Sequence, residues 1–277
     1  MKYTEFKFYL KNLDFSGEML IAKLGDLGFE SFVEEEGLIL AYIPTGNITN
    51  DIRAKLQSDQ LMKLFNRFRE EAIADKNWNA LWESQYEPVL IEDRCFIRAP
   101  FHKSMNNVEF DIVIMPKMSF GTAHHETTHQ MIRYLLDSNV KGKVVLDMGC
   151  GTSVLAILAS KMGAFSVTAI DNDEWAYNNS VENAERNNCP GITVLQGDAT
   201  LLKNKKFDII LANINRNILL NDIPIYSESL YAGGLLFMSG FYEQDSGLIT
   251  STCNKYAMTY VSNTEMNKWI AAKYKKL

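Results

Sequence analysis

The sequence predicts an α/β fold, with a doubly wound parallel sheet that follows a small α+β domain. Two observations carry this prediction. From residue 143 onward, short apolar runs alternate with segments of helical spacing, which is typical of a parallel sheet covered by helices on both faces. Before residue 60, the pattern is strand, helix, two strands and helix. A chain of 277 residues can hold one large domain or two modest ones.

The first 60 residues predict a small layer of strands covered by helices. The predicted elements are a strand over 3–10, a helix over 16–28, hairpin strands over 30–36 and 38–43, and a helix over 48–58. Gly37 turns the hairpin, and Pro44 ends its second strand. This order is that of a ferredoxin-like domain, which we expect to span residues 1–60.

Residues 61–90 predict a linker, because their apolar residues are irregularly placed. Trp78 and Trp82 are four residues apart and share one face of a helix. Such a pair packs a helix onto a neighbour or, less commonly, forms a stacking platform for a substrate. Strands over 89–98 and 109–115 are predicted to form a hairpin-like start of the second domain, which spans residues 91–277.

The central motif of the chain is a glycine turn between a strand and a helix. An apolar run over 144–146 ends in Asp147, Gly149 and Gly151 follow, and helical spacing begins at Val154. Glycine permits a positive φ and a close approach by a ligand. Open α/β sheets bind nucleotides where a strand ends in such a turn and a helix begins.

The residues of this turn favour S-adenosylmethionine over a dinucleotide. The dinucleotide fingerprint is incomplete because Ser153 stands where a third glycine belongs, which disfavours a dehydrogenase. S-adenosylmethionine has no phosphate but carries an ammonium and a sulfonium, so an acidic residue such as Asp147 suits it. The turn resembles motif I of class I methyltransferases, whose fold is Rossmann-like. A glycine turn without a ligand is the alternative.

A second acidic residue follows at the distance expected for a ribose contact. The strand predicted over 166–170 ends in Asp171, about 20 residues after the glycine turn. Its carboxylate can accept two hydrogen bonds from ribose hydroxyls. The alternative is a helix N-cap, a role that Asn172 or Asp173 could equally fill.

The remaining elements continue the alternation of strands and helices. They are strands over 191–199, 206–214 and 235–241, a helix over 215–232, and a terminal pair of strands over 256–262 and 268–275.

Residues 125–129 also fit the zinc-protease motif H-E-x-x-H. On a helix, His125 and His129 would share a face and could bind zinc, with Glu126 as the base. No obvious third ligand follows, because Asp137, Asp147 and Asp171 are better placed elsewhere. A zinc metalloprotease is therefore kept as an alternative function, and the main prediction includes no metal.

Composition excludes several classes of protein. Apolar residues make up 47% of the chain and charged residues 22%, and no apolar run reaches the roughly 18 residues that span a bilayer. The N-terminus lacks the apolar core of a signal peptide, and the four cysteines form no CxxC pair. We therefore expect a cytoplasmic protein. A net charge of −6 argues against binding RNA mainly through phosphates.

Five motifs occur in order along the second domain. They are Phe120-Gly121-Thr122, His125-Glu126-Thr127-Thr128, Asp147-Met148-Gly149-Cys150-Gly151, Asn183-Ala184-Glu185-Arg186-Asn187 and Ala212-Asn213-Ile214. Together they resemble the PrmA family, bacterial methyltransferases that act on the eleventh protein of the large ribosomal subunit. The resemblance covers residues 75–277 and implies a ferredoxin-like recognition domain, a linker and a class I methyltransferase domain. It also implies methylation of the N-terminal α-amine and lysines of this stalk-base protein. We expect the chain to act as a monomer, without a membrane or nucleic acid.

By this resemblance, S-adenosylmethionine contacts residues spread over the second domain. They are Phe120, Gly121, Thr122, Thr128, Asp147, Gly149, Gly151, Asp171, Asp198 and Asn213. Residues 120–128 form a loop that closes over the cofactor, and Asp198 lies near its adenine. Ala123 and Ser153 stand where the family has glycine. Both side chains are small, so we expect cofactor binding to persist.

Asn213 is the predicted catalytic residue. Methyl transfer to nitrogen requires a neutral amine aligned with the sulfonium methyl, and the Asn213 side-chain oxygen could accept a hydrogen bond from that amine. The alternative is a cap for a helix over 215–220. No residue is a clear general base, and His124 and His125 are candidates only by proximity. Methylation of another protein or of a small amine, and a catalytically silent binding fold, are further alternatives.

Overall fold

The chain divides into two compact units, residues 1–85 and 86–277. The computed structural model describes residues 3–11, 16–72, 86–115, 117 and 120–277. The predicted tryptophan pair, Trp78 and Trp82, lies outside the described residues. Each unit has a sheet and a hydrophobic core of its own.

The first unit is an antiparallel sheet with two helices, in the predicted ferredoxin-like order. Its elements are β1 (Tyr3–Leu10), α1 (Ser16–Asp26), β2 (Ser31–Glu35), β3 (Leu38–Pro44), α2 (Asn50–Leu56) and β4 (Phe65–Ala72). The strand order is β2-β3-β1-β4. Alternate residues of β1, Phe6 and Phe8, are fully buried with Leu20 and Leu24 of α1. This α+β arrangement confirms the predicted fold class of the N-terminal region.

Strand β4 was not predicted, because its sequence hides the alternation of a strand. It pairs with β1 inside the stretch that the sequence assigned to the linker. The register shifts opposite Tyr9 and Leu10, so Phe65 and Phe68, three residues apart, both pack on the ring of Phe8. A bulge inserts one residue into a strand and converts a spacing of two into a spacing of three.

The second unit is built on a seven-stranded sheet. Its strands are β8 (Val144–Met148), β9 (Ser166–Asp171), β10 (Ile192–Gln196), β11 (Phe207–Asn213), β12 (Leu230–Tyr242), β13 (Met258–Met266) and β14 (Trp269–Lys276). The helices between and before them are α3 (Glu126–Leu136), α4 (Val154–Lys161), α5 (Glu174–Arg186), α6 (Arg216–Ser229) and α7 (Ser246–Lys255). The bounds agree with the predicted elements to within a few residues, apart from an earlier start of β12, and α7 was not predicted.

The strand order places a ligand crevice between β8 and β11. The order is β10-β9-β8-β11-β12-β14-β13, with β10 to β12 parallel and β14 and β13 antiparallel to their neighbours. The chain runs outward in one direction from β8 to β10 and then returns to start β11 on the other side of β8. Ligands bind at such a switch point, beyond the carboxyl ends of the strands. The doubly wound prediction is confirmed, with a mixed rather than fully parallel sheet.

A separate three-stranded sheet precedes the large one and corrects the predicted hairpin. It contains β5 (Val89–Ile91), β6 (Cys95–Arg98) and β7 (Phe110–Val113). The predicted strand over 89–98 is broken by a tight turn in which Glu92 and Asp93 have φ of 51° and 52°. Strands β6 and β7 pair in parallel, so they do not form a hairpin.

No helix in the described part of the chain is long and apolar enough to cross a membrane.

Candidate active site

A cleft of about 530 Å³ opens at the switch point of the large sheet. Five of the residues predicted to contact the cofactor line it: Phe120, Gly149, Gly151, Asp171 and Asn213. They come from a loop and from the carboxyl ends of β8, β9 and β11, which the parallel sheet brings to one edge. The cleft therefore lies where the sequence predicted a nucleotide, and its volume is that of a small-molecule site.

The glycine turn is fixed by backbone hydrogen bonds before any ligand arrives. The amides of Gly149 and Cys150 donate to the carbonyl of Ile170, at 2.8 and 3.0 Å. Gly149 and Gly151 have φ of 68° and 54°, a region that other residues enter only at a cost. A Cβ on Gly151 would lie 2.3 Å from the Phe120 carbonyl oxygen, so only glycine fits there.

Asp171 is held by the turn and is not the helix cap. Its Oδ2 accepts from the Gly151 amide at 2.9 Å, and its Oδ1 accepts from the Asp173 amide at 3.1 Å. Asp173 is the N-cap of α5, where it accepts from the Ala176 amide at 2.9 Å. The capping alternative for Asp171 is therefore wrong. Its carboxylate faces the cleft on a fixed geometry.

Asp147 lies under the cleft and does not line it. The side chain is 1% exposed, and its Oδ2 accepts from the amide of Ala156, in the first turn of α4, at 3.0 Å. The N-cap position of that helix is Ser153, which makes no capping bond, so Asp147 supplies the missing acceptor. Burial raises the pKa of Asp147 to about 8, against the opposing effect of the Ala156 amide, and the nearby Asp171 raises it further.

Replacing Asp147 with Asn should raise stability more at pH 8 than at pH 5. The unfolded carboxyl loses its proton near pH 3.8 and the folded one near pH 8. Between these values the unfolded state binds fewer protons, so the carboxyl destabilises the fold increasingly as pH rises. Asn keeps an oxygen for the Ala156 amide and never ionises. Thermal unfolding of both forms across pH 5 to 8 measures the difference, and parallel curves would contradict the buried-carboxyl account.

Asn213 ends β11 and is anchored by a residue of another element. Its Nδ2 donates to Oγ1 of Thr128 at 3.2 Å. Within the described part of the chain, its Oδ1 has no hydrogen-bond partner, although the residue lines the cleft. The N-cap of α6 is Asn215, which accepts from the Ile218 amide at 3.2 Å. The capping alternative for Asn213 is therefore wrong.

The other predicted contacts lie outside the lining of the cleft. Thr128 is 1% exposed and reaches the cleft only through Asn213. The Gly121 carbonyl accepts from Oγ1 of Thr152 at 2.6 Å. Oγ1 of Thr122 lies 3.1 Å from Nδ1 of His124. Asp198 caps a short helical turn, where its Oδ1 accepts from the amide and hydroxyl of Thr200. Their contacts with a cofactor stay predictions.

The H-E-x-x-H residues have other partners in the fold. His125 is the N-cap of α3 and accepts from the Thr127 amide through Nδ1, at 3.2 Å. Glu126 accepts from Nδ2 of Asn267 at 2.7 Å, which holds the pKa of this carboxyl below its usual value. Among the residues that the structure describes, no three His, Cys, Asp or Glu side chains are grouped to hold a metal ion.

Nine lining residues were neither among the predicted site residues nor in the predicted loop over 120–128. They are Asn172, Asp173, Trp175, Ala176, Ile214, Asn215, Ile218, Gly240 and Trp269. Trp175 is 70% exposed in the first turn of α5, directly after the Asp171 strand, and an exposed tryptophan in a polar turn is a signal that could have been used. The place of Trp269 in the cleft depends on the antiparallel return of β14 beside β12, which no local pattern predicts.

Four aromatic rings form a continuous row, of which Phe120, His125 and Trp269 line the cleft and Tyr242 lines a neighbouring pocket. Ring centroids lie 5.2 Å apart between Phe120 and His125, 5.0 Å between His125 and Trp269, and 4.1 Å between Trp269 and Tyr242. We call these four residues the aromatic wall. A neighbouring pocket of about 570 Å³ shares Asn215, Gly240 and Trp269 with the cleft. The cleft thus has an acidic side at Asp171 and an aromatic side that opens into a second pocket.

Replacing Gly240 with Ala should destabilise the protein by about 2 to 4 kcal/mol and lower activity, because it overpacks the site. Its φ is 99°, and an added Cβ would lie 2.1 Å from the carbonyl oxygen of Ile214. The displaced backbone adjoins Asn213. Gly247→Ala in α7 is the matched control, since nothing lies within 4 Å of its Cβ position. Thermal unfolding and turnover measure both effects, and equal stability of the two variants would contradict this close approach.

Comparison with known proteins identifies the family. The family model described as ribosomal protein L11 methyltransferase (PrmA) matches residues 21–277. The chain belongs to the PrmA family. A ribosomal protein L11 methyltransferase of Bacteroides fragilis is 45% identical over 278 residues, which cover 99% of both chains. One from Porphyromonas gingivalis is 44% identical over 283 residues, covering 99% of this chain and 98% of the relative.

A solved structure agrees with this family assignment. A ribosomal protein L11 methylase from Lactobacillus delbrueckii subsp. bulgaricus superposes with a TM-score of 0.64 and 26% identity. It covers 69% of this chain and 100% of its own. The class I methyltransferase fold predicted for the second domain is confirmed, and the chain is a member of a methyltransferase family.

The two departures from the PrmA pattern both keep a backbone that favours glycine. Ala123 has φ of 69° and Ser153 has φ of 62°. An L-residue in this region costs roughly 1 to 2 kcal/mol. Ser153 has a compensating contact, since its buried hydroxyl donates to Oγ of Ser180 at 2.8 Å. Both positions therefore have the positive φ that glycine adopts most easily.

Proposed function

We propose that this chain transfers methyl groups from S-adenosylmethionine to amines of ribosomal protein L11. The observation that carries the proposal is the convergence of Asp171 and Asn213 on one cleft, with the aromatic wall beside them. Asp171 supplies a fixed carboxylate and Asn213 supplies an acceptor oxygen. Membership of the PrmA family supports ribosomal protein L11 as the acceptor.

The donor groups of the cleft fit S-adenosylmethionine. The Asp171 carboxylate accepts hydrogen bonds from two backbone amides. Its two oxygens offer about four lone-pair sites, so it can also accept from ribose hydroxyls. Trp175 offers an exposed ring beside Asp171 for the adenine. Gly149 and Gly151 keep side chains out of the space above the turn. The cofactor supplies an electrophilic methyl group on a positively charged sulfur.

Asn213 and the aromatic wall act on the acceptor amine. A hydrogen bond from the amine to Oδ1 of Asn213 aims the nitrogen lone pair into the cleft. Thr128 holds the Asn213 amide in one orientation.

The amine must lose its proton before transfer. A free α-amine has a pKa of roughly 8 and a lysine roughly 10.4, so about a tenth of the first and far less of the second is neutral at pH 7. Burial against the aromatic wall disfavours the charged form and lowers the pKa of the bound amine. The proton leaves to solvent through the open side of the cleft.

The remaining parts of the proposal concern recognition. The first unit, residues 1–85, recognises ribosomal protein L11, and the second unit carries out the transfer. The reaction takes place in the cytoplasm, where the four buried cysteines stay as free thiols. The chain acts as a monomer and needs no nucleic acid.

Calorimetric titration of the chain with S-adenosylmethionine, in a buffer containing a chelator, tests cofactor binding. Mass spectrometry of purified ribosomal protein L11, after incubation with the chain and S-adenosylmethionine, tests the acceptor. Micromolar binding and methyl groups on the α-amine and lysines are the expected results. Binding without methylation of this protein would indicate another protein or a small amine. No binding, together with one tightly held zinc per chain, would overturn the proposal and favour the protease alternative.

A further inference from the structure

Helix α5 and its C-cap bury a polar face against the rest of the second unit. Asn179, Ser180, Asn183 and Asn187 are 1%, 0%, 0% and 6% exposed. Buried amides and hydroxyls cost free energy unless every group finds a partner. Each of these four buried side chains therefore needs a hydrogen-bond partner, and the partners that it pairs with are held in place.

Two of the asparagines bind the backbone next to β7 as a neighbouring strand would. The amide of Val113 donates to Oδ1 of Asn187 at 2.9 Å, and Nδ2 of Asn187 donates back to the Val113 carbonyl at 2.7 Å. The amide of Met115 donates to Oδ1 of Asn183 at 2.9 Å. Asn179 completes the ladder by donating to the Met115 carbonyl at 3.4 Å.

Asn183 differs from Asn187 because it also contacts the glycine turn. Its Nδ2 donates to the carbonyl of Thr152 at 3.1 Å. The amide of Thr152 donates to the Phe120 carbonyl at 2.9 Å, and its hydroxyl donates to the Gly121 carbonyl at 2.6 Å. One side chain thus connects Met115 to the turn, and the turn connects to the loop that carries Phe120.

Ser180 holds the neighbouring carbonyl of the same turn. Its hydroxyl donates to the Gly151 carbonyl at 2.8 Å and accepts from Ser153 at 2.8 Å. The amide of Gly151 donates to Asp171. Helix α5 therefore holds the carbonyls of both Gly151 and Thr152. The Gly151 carbonyl shares its peptide group with the Thr152 amide, which donates to Phe120, and the Thr152 carbonyl shares its peptide group with the Ser153 amide, which donates to the carbonyl of Cys150 within the turn.

We propose that Asn183 is a positioning residue of the S-adenosylmethionine site, joining the glycine turn to the segment at Met115 through the two ends of one amide. The inference rests on the proposed function. Asn183 does not line the cleft. Its effect passes through Thr152 to Phe120 and through the turn to Asp171, so its loss should weaken cofactor binding beyond any general loss of stability.

Asn183→Asp is the test, and Asn187→Asp is its matched control. Each substitution keeps the size of the side chain and the oxygen that accepts from the β7 segment. Each loses two donor bonds from Nδ2: Asn183 to Thr152 and Asn179, Asn187 to Val113 and the Asn183 carbonyl. Both sites are buried, so we expect similar losses of thermal stability. Only Asn183→Asp loses a contact with the glycine turn.

Calorimetric titration with S-adenosylmethionine and steady-state kinetics on ribosomal protein L11 should separate the variants. We expect Asn183→Asp to bind the cofactor about tenfold more weakly, because the loss of one hydrogen bond to a buried carbonyl changes an affinity by about this factor. We expect the affinity of Asn187→Asp to stay within about twofold of the unaltered chain. The KM for the cofactor should rise more than kcat falls. The neutral pair Asn183→Ser and Asn187→Ser repeats the comparison if either aspartate variant fails to fold.

Equal cofactor affinities for the paired variants would overturn the inference and leave the ladder a structural role only. Normal binding by the unaltered chain in that experiment would leave the proposed function intact. No binding by the unaltered chain would overturn the proposed function and this inference together.

Discussion

Replacing Asn213 with Ala should lower kcat by about 100-fold and should lower cofactor affinity by a much smaller factor, because Asn213 is only one of several predicted cofactor contacts. The substitution removes the acceptor oxygen at the end of β11 and leaves the glycine turn and Asp171 untouched. A small misplacement of reacting groups costs about this factor, because transfer to nitrogen depends on alignment. Steady-state kinetics with ribosomal protein L11 and calorimetry with S-adenosylmethionine measure the two quantities separately.

The hydroxyl of Thr128, which accepts from Asn213, allows a milder test of the same role. Thr128→Val removes the Oγ1 that accepts from Nδ2 of Asn213 and keeps the shape of the side chain. Asn213 then keeps its oxygen but loses its orientation, so we expect about a tenfold fall in kcat. Asn221→Ala, at an exposed position of α6, is the control for folding. Unchanged turnover in a folded Asn213→Ala protein would show that the positioning role is wrong.

Replacing Asp171 with Asn should weaken S-adenosylmethionine binding by about 100-fold. Asn keeps one acceptor oxygen and presents an NH₂ group in place of the other. In the unaltered chain, the Asp171 carboxylate accepts from the amides of Gly151 and Asp173. We assign its remaining lone pairs to the ribose hydroxyls. Losing two hydrogen bonds to a charged acceptor costs roughly 3 kcal/mol, which is about 100-fold in affinity.

Calorimetry distinguishes this effect from a general change of charge. Asp137→Asn removes a carboxylate that is 78% exposed at the end of α3, so its affinity for the cofactor should stay unchanged. The Asp171 variant should keep kcat within about tenfold at saturating cofactor, because Asn213 remains in place. An Asp171→Asn protein that binds as tightly as the unaltered chain would exclude the ribose contact.

Much of the fold followed from local patterns. Apolar runs of β8, β9 and β11, each ending in a polar or acidic residue, identified the strands and the edge at which their side chains meet. The failures have physical causes. A bulge concealed β4, and positive φ values at Glu92 and Asp93 turned the chain where the apolar pattern continued.

The fold class, the place of the glycine turn and the candidate residues Asp171 and Asn213 could all be predicted from the order of the residues. These depend on periodicity and on residue types at strand ends, which are local properties. The folded backbone was needed to show which of two nearby polar residues caps a helix: Asp173 instead of Asp171, and Asn215 instead of Asn213. Capping depends on backbone geometry within one turn, which a run of several polar residues leaves open.

The aromatic wall and the Asn183 contacts could be known only from the tertiary structure. Trp269 meets His125 across 144 positions of sequence because β14 inserts between β12 and β13. Asn183 contacts Met115 and Thr152, which are distant along the chain from it and from each other. Such contacts between distant residues leave no periodic pattern, whereas the strands and helices that bring them together do.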